Sequence, residues 1–170
     1  DSVYPADPTD ITDDEAMALI PAALGSTDIH VGHYLEPRLV YTELEFLTAP
    51  TPVEGRRTIH LGIDLFAPAG HGVFAPLDGH VAAAVYRDGH LDYGGVLVLA
   101  HIDGHGTPFY TLYGHLAKDS IGNLDANDLV RAGQQIATLG APSENGGWQP
   151  HLHFQLAPCL PDVTGAPPHD

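Results

Sequence analysis

Seven short apolar runs, bounded by Gly, Pro or Asp, constrain the fold of this chain most strongly. Between Arg56 and about Leu156 they read TIHLGIDLF, GVFAPL, GHVAAAVY, GGVLVLAHI, PFYTLYGHL, QQIATLG and HLHFQLA. Runs of this length separated by turn residues are typical of antiparallel sheets. Helical periodicity is nearly absent here, so we predict a mainly β domain, built as an antiparallel sheet or sandwich.

The composition divides the chain into three parts. We predict an acidic N-terminal extension over residues 1–54, with a short helix that begins at the capping box Thr12–Glu15 and a strand near 38–47. Residues 55–157 hold the β domain, and residues 158–170 form an irregular Pro-rich tail. The chain starts at Asp1 without an initiator Met, which suggests a mature fragment or an excised domain.

The formal net charge of −16, with six basic and 22 acidic residues, limits the partners. Nucleic-acid binding needs clustered Lys and Arg, so we expect no nucleic-acid partner. Anionic membranes are disfavoured for the same reason, and no apolar run is long enough to insert into a bilayer. No signal peptide is visible. The single cysteine, Cys159, excludes an internal disulfide.

Two of the predicted strands carry paired polar residues. His60 and Asp64 lie in HLGID, and His151 and His153 lie in HLH. Side chains at even spacing on a strand share a face, and Gly62 has no side chain to intrude between the first pair. Two imidazoles and a carboxylate are ligands that Zn²⁺ prefers, and three protein ligands leave one position for water. The pattern therefore predicts a hydrolytic zinc site.

The HLH strand has imidazoles on one side and Leu152, Phe154 and Leu156 on the other. We expect the apolar side to face the core and the histidines to lie on the floor of a groove. Spacing alone leaves two alternatives open. His151 and His153 could both bind one ion, or one could bind while the other stands beside bound water.

Six stretches of the chain resemble the lysostaphin-like, LytM-type zinc endopeptidases, which cleave peptide cross-bridges of bacterial cell walls. They are HLGIDLFAPAG (60–70), VFAPLDGHV (73–81), YGGVLVLAH (93–101), YTLYGHL (110–116), RAGQQIATLG (131–140) and PHLHFQL (150–156). The resemblance implies the LytM-type peptidase fold, which is similar to the duplicated hybrid motif. It also implies a zinc cofactor and a peptide substrate in peptidoglycan.

The resemblance further implies roles for five residues. His60, Asp64 and His153 would be the zinc ligands, whereas His115 and His151 would be catalytic histidines that do not bind the metal. One of these two would accept the proton of a zinc-activated water, and the other would stabilise the developing oxyanion. The assignment between them stays open.

The chain departs from the family pattern in its loops. The loop APSENGGWQ (141–149) is longer and more polar than usual, and insertions occur around 87–93 and 118–128. The N-terminal fifty residues are similar to the sequence that precedes a LytM-type module in large fusion proteins. In those proteins the module lies between a kinase-like phosphotransferase domain and a class III aminotransferase. That similarity predicts flanking domains and a cytoplasmic location; a separate peptidase would act in the cell envelope.

The predicted function is therefore a zinc metalloendopeptidase that hydrolyses amide bonds with a metal-activated water. Two alternatives are a non-catalytic zinc-binding or regulatory LytM-type module within a larger enzyme, and a His phosphocarrier module. The complete His and Asp set favours hydrolysis. Outside it, we expect His101 and Tyr113 to be structural, and Trp148 to be either a substrate-stacking residue or a loop anchor.

Overall fold

A computed structural model describes residues 29–37 and 59–164 of the chain. The predicted N-terminal helix and the predicted strand near 38–47 lie outside these residues. Within them the fold is mainly β, and every pairing between strands is antiparallel. The prediction of an antiparallel β fold is thus confirmed.

Eleven strands and one four-residue helix occur in the described part of the chain. They are β1 (His30–Val31), β2 (Glu36–Pro37), β3 (Ile59–His60), β4 (Ile63–Phe66), β5 (Gly72–Phe74), β6 (Gly79–Arg87), β7 (Gly94–Ile102), β8 (Pro108–Leu116), α1 (Lys118–Ile121), β9 (Leu129–Val130), β10 (Gln135–Thr138) and β11 (His151–Ala157). Each of the seven predicted runs contains a strand. A helix long and apolar enough to cross a membrane is not found among the described residues.

Seven strands form one sheet in the order β1-β4-β11-β8-β7-β6-β9. Two ribbons, β5 with β10 and β2 with β3, accompany it. The order places β4, β11 and β8 side by side, although more than 40 residues of chain, including β5 to β7, lie between β4 and β8. These three strands carry four of the five predicted site residues, so the sheet itself brings the site together.

The main core lies between the large sheet and the β5–β10 ribbon. Leu97, Leu99 and Tyr113 from the sheet are buried in one cluster with Val73 and Ile136 from the ribbon. Apolar side chains on the inner faces of two sheets stabilise the fold through the area that they remove from water. The expectation that Tyr113 packs in the core is confirmed.

A smaller cluster includes the alternate residues of β7, Val96 and Val98, together with Leu112 and Val163. Successive side chains of a strand point to opposite faces, so this cluster lies on the other face of the sheet. Val163 is only 3% exposed. The irregular segment after β11 is therefore packed against the sheet up to this residue.

The structure differs from two local predictions. The run TIHLGIDLF is two strands, because β3 pairs with β2 whereas β4 pairs with β1 and β11, and the chain bends at Gly62 between them. Leu156 was predicted to face the core, and this is wrong, since its side chain is 64% exposed. Leu152 and Phe154 do pack against the main core, and Leu156 lies beyond its edge.

Candidate metal and catalytic site

The predicted site residues meet where β4, β11 and β8 run side by side. His153 on β11 pairs with Asp64 on β4 and with Gly114 on β8. His115 follows Gly114, and His60 ends β3. All five predicted residues are buried, at 5% exposure or less.

Three of them direct one ligand atom each to a common point. The Nε2 atom of His60 lies 2.8 Å from Nδ1 of His153. The Oδ1 atom of Asp64 lies 3.2 Å from that Nε2 and 3.4 Å from that Nδ1. The three residues form a group whose ligand atoms all lie within 4.8 Å of one another, the kind of group that could hold a metal ion.

The separations fit a small tetrahedral cation. Zn²⁺ binds imidazole and carboxylate at about 2.0–2.1 Å, so two of its ligand atoms lie roughly 3.3 Å apart. The two distances to Asp64 match this value, whereas the 2.8 Å between the histidines is shorter and equals a hydrogen bond. The donor set of two imidazoles and one carboxylate also suits zinc.

Gly62 lies directly beneath His153. A Cβ atom at this position would overlap Cε1 of the His153 ring and would lie 2.7 Å from its Nε2. The absence of a side chain, which the sequence pattern indicated, thus leaves the space that the imidazole occupies. The ring that fills this space belongs to the neighbouring strand β11. The space does not arise from the alternation of side chains along one continuous strand, because the chain bends at Gly62.

His115 and His151 lie next to this group. Their ring centroids are 4.2 Å apart, and Nε2 of His151 is 3.7 Å from Oδ2 of Asp64. The Nδ1 atom of His115 donates to the main-chain oxygen of Asn145 at 3.2 Å, and Nδ1 of His151 donates to that of Gln149 at 2.6 Å. Both histidines therefore adjoin the candidate ligands without belonging to the group of three.

A bulge in β8 sets the direction of His115. Gly95 pairs with Leu116 and Leu97 pairs with Tyr113, so two residues of β8 lie opposite the single residue between Gly95 and Leu97. His115 has a φ of +63°, which a residue other than glycine rarely adopts. Strained backbone of this kind concentrates at functional sites, where the surrounding contacts maintain it.

Burial lowers the pKa of His115 well below the ordinary histidine value of 6.5. The neighbouring His151 and His153 lower this pKa further, while Asp64 and the Asn145 carbonyl act in the opposite direction. Desolvation disfavours the charged imidazolium. His115 is therefore neutral near pH 7 and able to accept a proton.

Two loops enclose the histidines on one side. Trp148 is 8% exposed, its ring centroid lies 6.0 Å from that of His115, and its Nε1 donates to the main-chain oxygen of Asp92 at 3.2 Å. The Tyr93 ring lies 5.3 Å from His115 and 5.2 Å from His153. Of the two interpretations of Trp148, the structure supports the loop anchor.

Sequence reasoning did not identify Asn145, Gln149 or Tyr93 as part of the site. Asn145 and Gln149 act through main-chain carbonyls, which carry no residue signature. The expected structural role of His101 agrees with its contacts, because its ring contacts the Asp78 carbonyl and the Thr111 hydroxyl, each at 2.8 Å.

The sequence model of peptidase family M23 matches residues 58–161. The chain belongs to peptidase family M23. Members of this family are metallopeptidases, so the chain belongs to a family of hydrolases, and the group of His60, Asp64 and His153 could bind its metal.

Two curated relatives of this M23 chain are proteins several times longer. It is 33% identical over 126 residues to the DD-carboxypeptidase/endopeptidase Mpg of Neisseria meningitidis serogroup B, covering 73% of this chain and 26% of Mpg. It is 30% identical over 113 residues to the cell division protein DipM of Caulobacter vibrioides, covering 65% of this chain and 17% of DipM. The chain therefore spans about a quarter, or less, of the length of these relatives.

Solved structures confirm the lysostaphin-like fold. LytU superposes with a TM-score of 0.53 at 27% identity, over 84% of this chain and 81% of LytU. The catalytic domain of the antimicrobial peptidase lysostaphin from Staphylococcus simulans gives 0.52 at 25% identity, over 84% of this chain and 88% of that domain. The similarity of the N-terminal residues to fusion proteins stays a prediction.

Proposed function

We propose that this chain is a zinc-dependent endopeptidase domain that hydrolyses amide bonds in cell-wall peptides. The observation that carries the proposal is the convergence of His60, Asp64 and His153 on one point, with all three buried. The names of the relatives support it, since Mpg is a DD-carboxypeptidase/endopeptidase and lysostaphin is an antimicrobial peptidase.

The proposed zinc ligands are His60, Asp64 and His153. Two neutral imidazoles and one carboxylate leave a net positive charge on a divalent cation. Bound zinc supplies Lewis acidity, which lowers the pKa of its water towards ~7 and polarises a substrate carbonyl. A divalent cation bound here would also balance the negative charge of the buried Asp64 carboxylate.

We assign the proton transfers to His115 and His151 jointly. Burial lowers the pKa of His115, so its ring is neutral, and the lone pair of a neutral imidazole can accept a proton from the attacking water. The ring of His151 lies 4.2 Å from it and can stabilise the negative charge that develops on the carbonyl oxygen. Protonated after the first step, either histidine can return the proton to the leaving amine.

The proposed peptidase domain spans residues 55–157, with the acidic extension 1–54 before it and the tail 158–170 after it. Because Mpg and DipM are much longer than the matched region, flanking domains are part of the proposal. The proposed partner is a peptide of peptidoglycan, and such a substrate would place the protein in the cell envelope.

Hydrolysis assays of zinc-loaded protein test the proposal. The protein is incubated with oligoglycine and with purified peptidoglycan, and mass spectrometry follows the products. We expect amide cleavage that a chelator abolishes and added zinc restores. A protein that holds one zinc yet cleaves neither substrate would instead be a regulatory module, and phosphoryl transfer to a histidine would indicate a phosphocarrier.

A further inference from the structure

We propose that Asn145 is a positioning residue that holds His115 in the tautomer with its proton on Nδ1. The inference rests on the proposed catalytic role of His115 and adds the group that prepares it. The relevant contact joins Nδ1 of His115 to the main-chain oxygen of Asn145, 3.2 Å away.

The chemistry of the two groups determines the tautomer. A carbonyl oxygen has no proton to donate, so Nδ1 of His115 must be the donor in this contact. A neutral imidazole carries one proton, and therefore Nε2 keeps its lone pair. This is the form in which Nε2 can take a proton from water. In the other tautomer that nitrogen would already hold one.

Asn145 is itself held in place from inside the protein. Its side chain is fully buried, and its Nδ2 donates to the main-chain oxygen of Gly140 at 3.4 Å. The N–H of Gly140 in turn donates to the main-chain oxygen of His115 at 2.9 Å. Asn145 thus reaches His115 twice, directly through its carbonyl and indirectly through Gly140.

The peptide that carries the Asn145 carbonyl is also held from the side of Gly146. Gly146 has a φ of +87°, and a Cβ at this position would overlap the main-chain oxygen of Asp92. The N–H of Leu91 donates to the Gly146 oxygen at 2.9 Å, and Trp148 donates to Asp92. These contacts with the loop before β7 therefore hold the 141–149 loop in one conformation.

The 141–149 loop also contacts His151, the second histidine outside the group of three, through a main-chain carbonyl. Nδ1 of His151 donates to the main-chain oxygen of Gln149 at 2.6 Å. The 141–149 loop, which is longer and more polar than the family pattern, thus supplies one carbonyl to each of the two histidines. His151 serves as an internal reference, because its carbonyl belongs to a different residue from the one proposed to position His115.

The test compares two variants with a control in zinc-loaded protein. Asn145→Ala removes the bond to Gly140, and Gly146→Ala displaces the 145–146 peptide without touching a histidine side chain. Gly133→Ala is the control, because Gly133 also has a positive φ (+78°) but has open space around it, in the turn before β10. Nitrogen-15 NMR of the imidazoles reads the tautomers, and steady-state hydrolysis of oligoglycine gives kcat and KM.

We expect His115 of the unmodified protein to be protonated on Nδ1 alone, and His151 to hold a proton on Nδ1 as well. In either variant the His115 signals should move towards a mixture of tautomers, while those of His151 and the zinc content stay unchanged. Loss of a correctly placed base should lower kcat about tenfold or more with KM within about threefold. Gly133→Ala should change neither the His115 signals nor kcat.

The inference is overturned if His115 of the unmodified protein carries its proton on Nε2. It is also overturned if both variants lose turnover while the His115 signals stay unchanged, or if they lose zinc together with turnover. The NMR result does not depend on hydrolysis, so it decides the inference even if oligoglycine is not cleaved, which would count against the proposed function alone.

Discussion

The Nε2 atom of His60 lies 2.8 Å from the Nδ1 atom of His153, although 93 residues separate the two histidines along the chain. The Oδ1 atom of Asp64 lies within 3.4 Å of both nitrogens. Lone pairs that point at one place repel each other unless a proton or a cation lies between them. The two nitrogens and the carboxylate oxygen are therefore arranged as they would be around a bound cation.

Substitution of a ligand should therefore separate metal binding from catalysis. His153→Ala should lose both zinc and activity, because it removes one of three ligands. His115→Ala should keep zinc and lose turnover, by about 10²-fold or more if it serves as a general base. Metal analysis after dialysis and peptide hydrolysis measure the two effects. Retention of zinc by His153→Ala and its loss from His115→Ala would contradict the ligand assignment.

Gly62→Ala should weaken zinc binding. The Cβ of the new alanine would overlap the His153 ring. The imidazole must then rotate, and its Nδ1 moves away from Oδ1 of Asp64. Displacing a ligand in this way should cost about 10- to 100-fold in metal affinity, measured by competition with a chromogenic chelator. Gly104→Ala is the matched control, because Gly104 has open space around it and should leave the affinity unchanged. Equal affinity in Gly62→Ala would show that the ring does not need this space.

The stability of zinc-free protein should fall as the pH drops below about 6.5, in part because of His115. Burial lowers the pKa of His115 in the folded state. Below pH 6.5 the unfolded chain therefore takes up a proton there that the folded chain does not, which favours unfolding. His115→Gln should make this part of the slope disappear, by up to about 1.4 kcal/mol per pH unit. Urea unfolding at several pH values measures it, and identical slopes in both proteins would refute the prediction.

Trp148 should contribute to stability through two separable interactions. Trp148→Phe loses the bond from Nε1 to the Asp92 oxygen and part of the ring, and should cost about 1–2 kcal/mol. Trp148→Ala also loses the packing against His115 and His151 and should cost about 3 kcal/mol or more. Denaturant unfolding of zinc-loaded protein gives both values. Equal free energies of unfolding for the two variants would show that packing of the ring at position 148 does not contribute to stability.

The sequence predicts the antiparallel sheet well and identifies the His and Asp residues that gather at the candidate site, since both depend on local patterns. Apolar runs between turn residues indicated β5 to β8, β10 and β11, and the spacing within HLH put His151 and His153 on one face, where both are buried. The order in which β4, β11 and β8 pair depends on contacts between distant segments. Pattern reasoning alone therefore left open which histidines share an ion.

The remaining differences arise from contacts that a local pattern does not contain. The bend at Gly62 occurs because β3 and β4 pair with different strands. The positive φ of His115 accompanies a bulge that forms only against β7. The carbonyls of Asn145 and Gln149 are main-chain groups, so the side chains in APSENGGWQ gave no sign of them.

The most direct test of the account is a crystal structure of zinc-loaded protein with diffraction data on both sides of the zinc absorption edge. We predict a single anomalous peak, in contact with Nε2 of His60, Oδ1 of Asp64 and Nδ1 of His153, with His115 and His151 outside its coordination shell. A peak held by His115 and His151, with Asp64 not coordinating, would contradict the account.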